Sequence, residues 1–258
     1  MADETIFEQD GPVAILTFNR PEARNAMSWG MYETLREVCE RVDADDATRV
    51  LVLRGAGDRA FVSGTDIRQF LEFKTREDAL GYEERLDRSI GRLAEMTKPA
   101  IAMVNGDAIG GGLFMALACD LRIATERARY GVPVARTLGN FPQPTNWTRL
   151  VAAIGMIRAR NLVLTARLMK ADEALSIGLV DEVLPYDALE GRVRELAHHM
   201  AGLAPLTLGA MKEATRRMMR TYTILDAEEL MLSCYLSQDF QEGVRSFLDK
   251  RTPEWQGL

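Results

Sequence analysis

Histidine is almost missing from this chain. The only two, His198 and His199, are adjacent, and neighbouring side chains on a helix splay by roughly 100°. They make no metal pair, and no HExxH sequence occurs. A Ser-His-Asp triad would have to borrow one of them from a tail helix. Cysteine is scarce as well: Cys39, Cys119 and Cys234 are far apart, odd in number and outside any CxxC pair, which fits a reduced compartment. Neither sign of charge dominates. A formal charge of −6 with both signs interspersed argues against a nucleic-acid partner held by bulk positive charge. Long apolar runs are absent too. The longest, Ala108–Cys119, contains three glycines and falls short of the ~20 residues of a membrane span. The opening MADETIFEQDGP has neither a basic n-region nor an apolar h-region, so no secretory signal is expected. The expectation is a soluble, cytoplasmic protein.

What is present is ample apolar material. Of 258 residues, 47% are hydrophobic and 27% charged, enough for a sizeable core under a solvated surface. Strand and helix patterns alternate through the first part of the chain. Val13–Asn19 and Val50–Leu53 read as buried strands. Between them Ser28 is placed to cap a helix whose apolar face is Met31, Leu35, Val38 and Val42. Asp66 is placed to begin another, with Ile67, Phe70 and Leu71 on its apolar side. A helix from about Leu80 to Met96 carries a stripe of Leu86, Ile90 and Leu93. Ala100–Val104 and Leu121–Ala124 are further strands. This order predicts an α/β architecture with parallel strands joined by helical crossovers. Beyond Gly155 the pattern changes to helices, with one brief strand at Asp181–Leu184. Tyr186 to Leu248 reads as three or four helices, one opened by Pro205.

The stretch Pro99–Ala124 is the most informative. A strand, a turn at Asn105-Gly106-Asp107, and the glycines Gly110, Gly111 and Gly112 lead into a helix of small and apolar residues ending at Asp120. Glycines without Cβ atoms let another molecule approach the main chain. The free N–H groups of the helix start suit an oxygen that is gaining negative charge. The stretch is therefore either an oxyanion site made of backbone or a buried turn that lets helix and strand pack. No Gly-Lys-Ser/Thr follows, and Ala60 occupies the third-glycine position after Gly55-Ala56-Gly57, so neither an NTPase phosphate loop nor a dinucleotide fingerprint is present.

Several motifs in order now carry a family resemblance. These are Asn19-Arg20-Pro21…Asn25-Ala26-Met27, Ala60-Phe61-Val62-Ser63-Gly64-Thr65-Asp66, Asn105-Gly106…Gly110-Gly111-Gly112 with Asp120, and Ala171…Ala174…Gly178-Leu179-Val180. With Phe240…Glu242-Gly243…Phe247 near the end, the chain from about residue 5 onward resembles the crotonase superfamily, the enoyl-CoA hydratase/isomerase family. The resemblance implies a spiral of ββα units over residues 1–195 and a C-terminal helical oligomerisation region, 196–258, building a homotrimer or dimer of trimers. It implies an acyl-CoA thioester substrate and no cofactor beyond its coenzyme A moiety. It also implies that the thioester oxygen is held by two backbone N–H groups, those of Thr65 and Gly111; removing one such donor costs about 2.7–4 kcal/mol in comparable oxyanion holes. Coenzyme contacts map to Arg24, Ala60, Ser63, Gly64, Asp66 and Ile67, with Arg24 either meeting a phosphate or remaining a solvated loop arginine, and Asp66 capping its own helix. Gly110, Phe114, Val134 and Asn140 are assigned to the substrate pocket.

The family's hydratases add water with two glutamates. Phe114 and Val134 stand at the matching positions, and no Asp or Glu occurs from Arg127 to Lys170. A positioned acid or base is worth about 10²–10⁴-fold, so another group is needed. Asp87 is the first candidate: its helical neighbours Ile90 and Ala94 are apolar, and burial would raise its pKa. The other reading is a solvated carboxylate among Glu83, Glu84, Arg85 and Arg88. Asp107 is better suited to stabilising its turn, while Asn140, Thr145 and Asn146 are able to orient water without acting as strong bases. The expected activity is hydration or isomerisation of an enoyl-CoA. The alternatives are thioester hydrolysis or decarboxylation in the same hole, or an acyl-CoA-binding protein without turnover. No metal site is expected.

Overall fold

A computed structural model describes residues 3–71, 73–222 and 228–258. Among these residues ten strands form two sheets. They are β1 (Thr5–Asp10), β2 (Val13–Phe18), β3 (Val50–Gly55), β4 (Ala60–Val62), β5 (Ala100–Val104), β6 (Asp107–Ile109), β7 (Leu121–Thr125), β8 (Arg129–Gly131), β9 (Met169–Lys170) and β10 (Glu182–Leu184). The larger sheet has the order β1-β2-β3-β5-β7-β10 and the smaller β4-β6-β8-β9. The pairs β3/β4, β5/β6 and β7/β8 each send their first strand to the large sheet and their second to the small one, and each is followed by helical chain. This is the crotonase-type spiral of ββα turns.

The apolar runs explain why the large sheet lies in the middle. Every residue of β2 and β5 is buried, as expected of parallel strands covered on both faces. On one face Ala14, Leu16, Leu51, Leu53, Ala100 and Ala102 join the main core. On the other, Val13, Ile15, Val50, Val52, Ile101 and Met103 pack against Leu189, Val193 and Ala197 of the helix Tyr186–Ala201. That helix runs across residues 195 and 196, where the core and tail were expected to divide.

Buried polar side chains pin the turns between the layers. Asn105 Oδ1 accepts from the Gly55 N–H at 3.0 Å and its Nδ2 donates to the Gly55 carbonyl at 2.8 Å. Asn25, fully buried, donates to the carbonyls of Ala56 and Ala60 and accepts from the Arg20 N–H. Asp120 accepts from the Ala100 N–H at 2.7 Å and pairs with Lys212 of the helix Pro205–Tyr222.

Ser28 caps the helix Trp29–Ala44, and Asp66 caps a 3-10 turn, Ile67–Phe70, where a longer helix was expected. The helix expected from Leu80 starts earlier, at Arg76, under a Thr75/Asp78 capping box, and contains a π-helical turn at Asp87–Gly91. Edge strand β1 and the helix Pro144–Ile154 were not anticipated. The tail holds four described helices, Tyr186–Ala201, Pro205–Tyr222, Glu228–Tyr235 and Gln238–Asp249; residues 223–227 lie outside the described residues. No described helix is long and apolar enough to cross a membrane.

Candidate active site

Two backbone segments meet in the wall of a cleft of about 1020 Å³. The first follows β4. A parallel bridge ties Thr65 to Met27 through Met27 N–H to the Gly64 carbonyl and Asp66 N–H to the Met27 carbonyl. Both links flank Thr65. Since successive N–H groups of extended chain alternate sides, the Thr65 N–H faces away from the bridge. The second segment starts the helix Gly111–Ala118, whose first N–H groups have no intrahelical acceptor. A Cβ on Gly64 would lie 3.9 Å from Gly111 N, and one on Gly111 would lie 3.8 Å from Gly64 Cα. The two peptide groups are therefore neighbours, and Gly64, Thr65 and Gly111 all line the cleft.

The three glycines have separate duties. Gly110 has φ of 56°, a conformation that favours glycine. Gly112 lies against β4 so closely that a Cβ would stand 1.9 Å from the Val62 carbonyl oxygen. Gly111 has neither constraint, but a Cβ there would meet the Tyr32 hydroxyl at 3.3 Å. That hydroxyl is 2.9 Å from Thr65 Oγ1, and the Tyr82 hydroxyl approaches the same oxygen at 2.9 Å. Two buried tyrosines thus fix Thr65, and burial pushes both hydroxyl pKa values up, so neither ionises near neutrality.

The interior of the cleft is apolar, with Phe70, Leu86, Ile90, Phe114, Val134 and Leu138 among its lining. Among the described residues four carboxylates reach it: Glu22, Asp66, Glu83 and Asp107. Glu22 is exposed. Asp66 is held by Arg68 and Arg20, and Arg68 above all keeps its pKa down at about 2. Asp107 makes a two-bond pair with Arg129, at 2.9 and 2.6 Å. Glu83 is different. It is 5% exposed and has no ion-pair partner among the described residues. Its Oε1 accepts from the Tyr235 hydroxyl at 2.6 Å, while Oε2 is buried without a donor. Burial first, and the charge of Asp87 to a smaller degree, push its pKa up to about 7 against the opposing Tyr235 hydrogen bond. Asn140 Nδ2 donates to the same tyrosine hydroxyl at 3.1 Å, and Asn140 Oδ1 has no donor either. Rings of Phe70, Phe73, Tyr82 and Phe240 pack around Tyr235 at 4.9–6.5 Å between centroids.

The structure brings most of the expected site residues to one place. Thr65, Gly111, Arg24, Ser63, Gly64, Asp66, Ile67, Gly110, Phe114, Val134 and Asn140 all line this cleft. Arg24 is exposed and, like Lys250 from the far end of the chain, lines it with no ion pair among the described residues. Two expectations are corrected. Ala60 is buried at the start of β4, its carbonyl taken by Asn25, and it does not reach the cleft. Asp87 is exposed and outside the lining. It opens the π-helical turn, whose extra residue shifts the phase of everything after it. A uniform period of 3.6 puts Asp87 in line with Ile90 and Ala94; the real helix does not. Glu83, missed from the sequence, lies on the stripe Ala79, Tyr82, Leu86, which are buried like it. A carboxylate on an apolar stripe was the available signal.

Two neighbouring peptide groups beside an apolar cleft, carried on a ββα spiral, place the chain among enzymes of the crotonase fold. The enoyl-CoA hydratase/isomerase family model matches residues 8–258, and the chain belongs to that family. It is 36% identical to a short-chain-enoyl-CoA hydratase of Clostridium acetobutylicum, over 98% of this chain and 97% of that one. It is 37% identical to an (E)-benzylidenesuccinyl-CoA hydratase of Thauera aromatica, over 97% and 98%. Among solved structures, methylmalonyl-CoA decarboxylase in complex with 2-nitronate-propionyl-CoA superposes with a TM-score of 0.91 at 27% identity, covering 99% of each chain.

Proposed function

We propose that this chain hydrates a 2-enoyl-CoA, holding the thioester oxygen with the N–H groups of Thr65 and Gly111. The observation that carries this reading is the adjacency of those two peptide groups in the wall of an apolar cleft. Donors aimed at a developing oxyanion stabilise the enolate that forms when a nucleophile adds at Cβ. Phe114, Ile90, Leu86 and Val134 then surround the acyl chain, and Arg24 and Lys250 are the cations free to meet the coenzyme phosphates. The reading needs no cofactor beyond the coenzyme A of the substrate. It dispenses with the two family glutamates, whose places Phe114 and Val134 take. Leu206, Met211, Met218 and Tyr222, exposed on the helix Pro205–Tyr222, support a homotrimer or dimer of trimers, in the cytoplasm.

The experiment offers crotonyl-CoA to the purified protein and follows loss of the enoyl absorbance, thiol release and coenzyme A binding in parallel. Hydration without thiol release is expected, and Gly111→Val in a folded protein abolishes it. Unchanged activity in that variant would reject the oxyanion pair. Decarboxylation is the second reading, favoured by the TM-score of 0.91 to methylmalonyl-CoA decarboxylase. Carbon dioxide release from methylmalonyl-CoA, with no turnover of crotonyl-CoA, would establish it instead.

A further inference from the structure

We propose that Glu83 is the proton-carrying residue of this cleft, and that its Oε2, together with Asn140 Oδ1, seats the water that adds to the acyl chain. The proposal rests on the hydratase reading for the water and on the oxyanion pair for the proton.

Elimination is the first support. Of the four carboxylates that reach the cleft among the described residues, two are neutralised by arginines and one is exposed. The two histidines are no substitute: neither lines the cleft, and His198 instead meets Asp10 at 3.3 Å. The tyrosines whose hydroxyls approach Thr65 are buried and stay neutral. Among the described carboxylates, Glu83 alone is buried, lines the cleft and lacks a cation.

Geometry is the second support. Glu83 and Asn140 come from distant parts of the chain and are linked through one hydroxyl, that of Tyr235. Each keeps a buried acceptor oxygen with no protein donor. A water molecule donates two hydrogens, and these two oxygens are suited to receive them. Tyr235 already holds Glu83 Oε1, which turns Oε2 to the task. The titratable neighbours of Glu83 are Asp87 on its own helix, Tyr235 opposite, and Tyr82 and Tyr32 beside Thr65. No cation among them stabilises the carboxylate, so it binds its proton near neutrality, where an acid–base group works best.

The chemistry balances with one residue. As the water oxygen bonds to Cβ, one water proton passes to Glu83 Oε2. The Cα=Cβ electron pair moves toward the carbonyl carbon, and negative charge collects on the thioester oxygen between the Thr65 and Gly111 N–H groups. Glu83 then returns its proton to Cα as the enolate collapses. One water has been added and the carboxylate restored.

The test uses the full chain with two probes. Crotonyl-CoA reports hydration. Butyryl-CoA in deuterium oxide reports exchange of the α-proton, which needs a base and the oxyanion pair but no water at Cβ. In Glu83→Gln, both rates are expected to fall about 10²–10⁴-fold, with butyryl-CoA affinity kept within about threefold. The wild-type rate rises with pH to a plateau through a transition near 7, and the variant lacks that transition. Asn140→Ala is expected to slow hydration at least about tenfold while leaving α-exchange within about threefold. Exchange that survives Glu83→Gln overturns the role of Glu83. Equal loss of both rates in Asn140→Ala overturns the water seat. Should the wild type exchange the α-proton but hydrate nothing, the hydratase reading and the water seat fail, and a Glu83-dependent exchange still upholds the proton carrier.

Discussion

Replacing Glu83 by Gln is expected to make the protein more stable at pH 8, by about 3 kcal/mol. In the unfolded chain this carboxyl ionises at its ordinary 4.5, whereas burial raises it to about 7 in the folded protein. Each tenfold change in proton affinity is worth about 1.4 kcal/mol, which gives that order of magnitude. The direction follows from linkage. A carboxyl with a raised folded pKa favours the native state fully below about 4.5, and that contribution is lost as the pH rises through about 7. Gln keeps an oxygen to accept from Tyr235 and carries no charge to bury. The advantage of the variant should therefore be small at pH 5, grow through pH 6 and 7, and level off by pH 8. For a chain of this length 1 kcal/mol moves the melting temperature by about 2–4 °C, so the pH 8 difference should reach roughly 6–12 °C. Paired thermal and urea melts at four pH values measure it, and groups common to both proteins cancel in the difference. A difference that stays flat from pH 5 to pH 8, or a wild type more stable than the variant at pH 8, would refute the buried, unpaired carboxylate. Greater stability alongside lost turnover is the pattern of a group retained for chemistry.

Three further outcomes follow from single contacts. Gly112→Ala puts a methyl 1.9 Å from the Val62 carbonyl oxygen; backbone must move, and a loss of about 3 kcal/mol or more in urea melts is expected, with hydration lost as Gly111 separates from Thr65. Asn25→Ala strands the Ala56 and Ala60 carbonyls and the Arg20 N–H, at a cost on the order of 3 kcal/mol, read from the same melts. Arg24→Ala and Lys250→Ala should each weaken coenzyme A binding in calorimetry by about fivefold at low salt and less at high salt, since exposed charges are screened, while melting temperatures stay within about 2 °C.

The fold was legible because its signals are local and repeated. Apolar runs such as Ala100–Val104 cannot rest anywhere but between two covering layers, and the Ser28 cap is read within a few residues. The proposed oxyanion pair left its mark in the sequence for a related reason. It consists of main chain, so what the sequence must encode is shape: glycine where φ is positive, at Gly110, and glycine where β4 comes within contact of the helix, at Gly112. Those demands leave a mark in residue type that chemistry at a side chain need not leave. Strand β1 was missed because as an edge it is half solvated, and its residues alternate too weakly to stand out.

The proton carrier is where local reading gave out, and the reason is physical. Asp87 and Glu83 sit one turn apart on a helix that a uniform period treats as continuous. Glu83 is buried and Asp87, which opens the π-helical turn Asp87–Gly91, is exposed. Neither residue's own sequence neighbourhood foretells what makes Glu83 distinctive. Its environment is built by Tyr235 and Asn140, 152 and 57 positions further on, and it is the tail helix Glu228–Tyr235 that brings the tyrosine hydroxyl to the carboxylate. The helical tail therefore does more than cover the spiral core. It supplies one wall of the cleft with Tyr235 and Phe247, Phe240 packs on Tyr235 behind that wall, and the burial of Glu83 beside them raises its proton affinity. On the proposed reading, an acid–base group tuned in this way by a distant segment separates two jobs within one chain: glycine geometry in the spiral presents the donors for the oxyanion, and packing by the tail selects which carboxylate gives and takes a proton near neutrality.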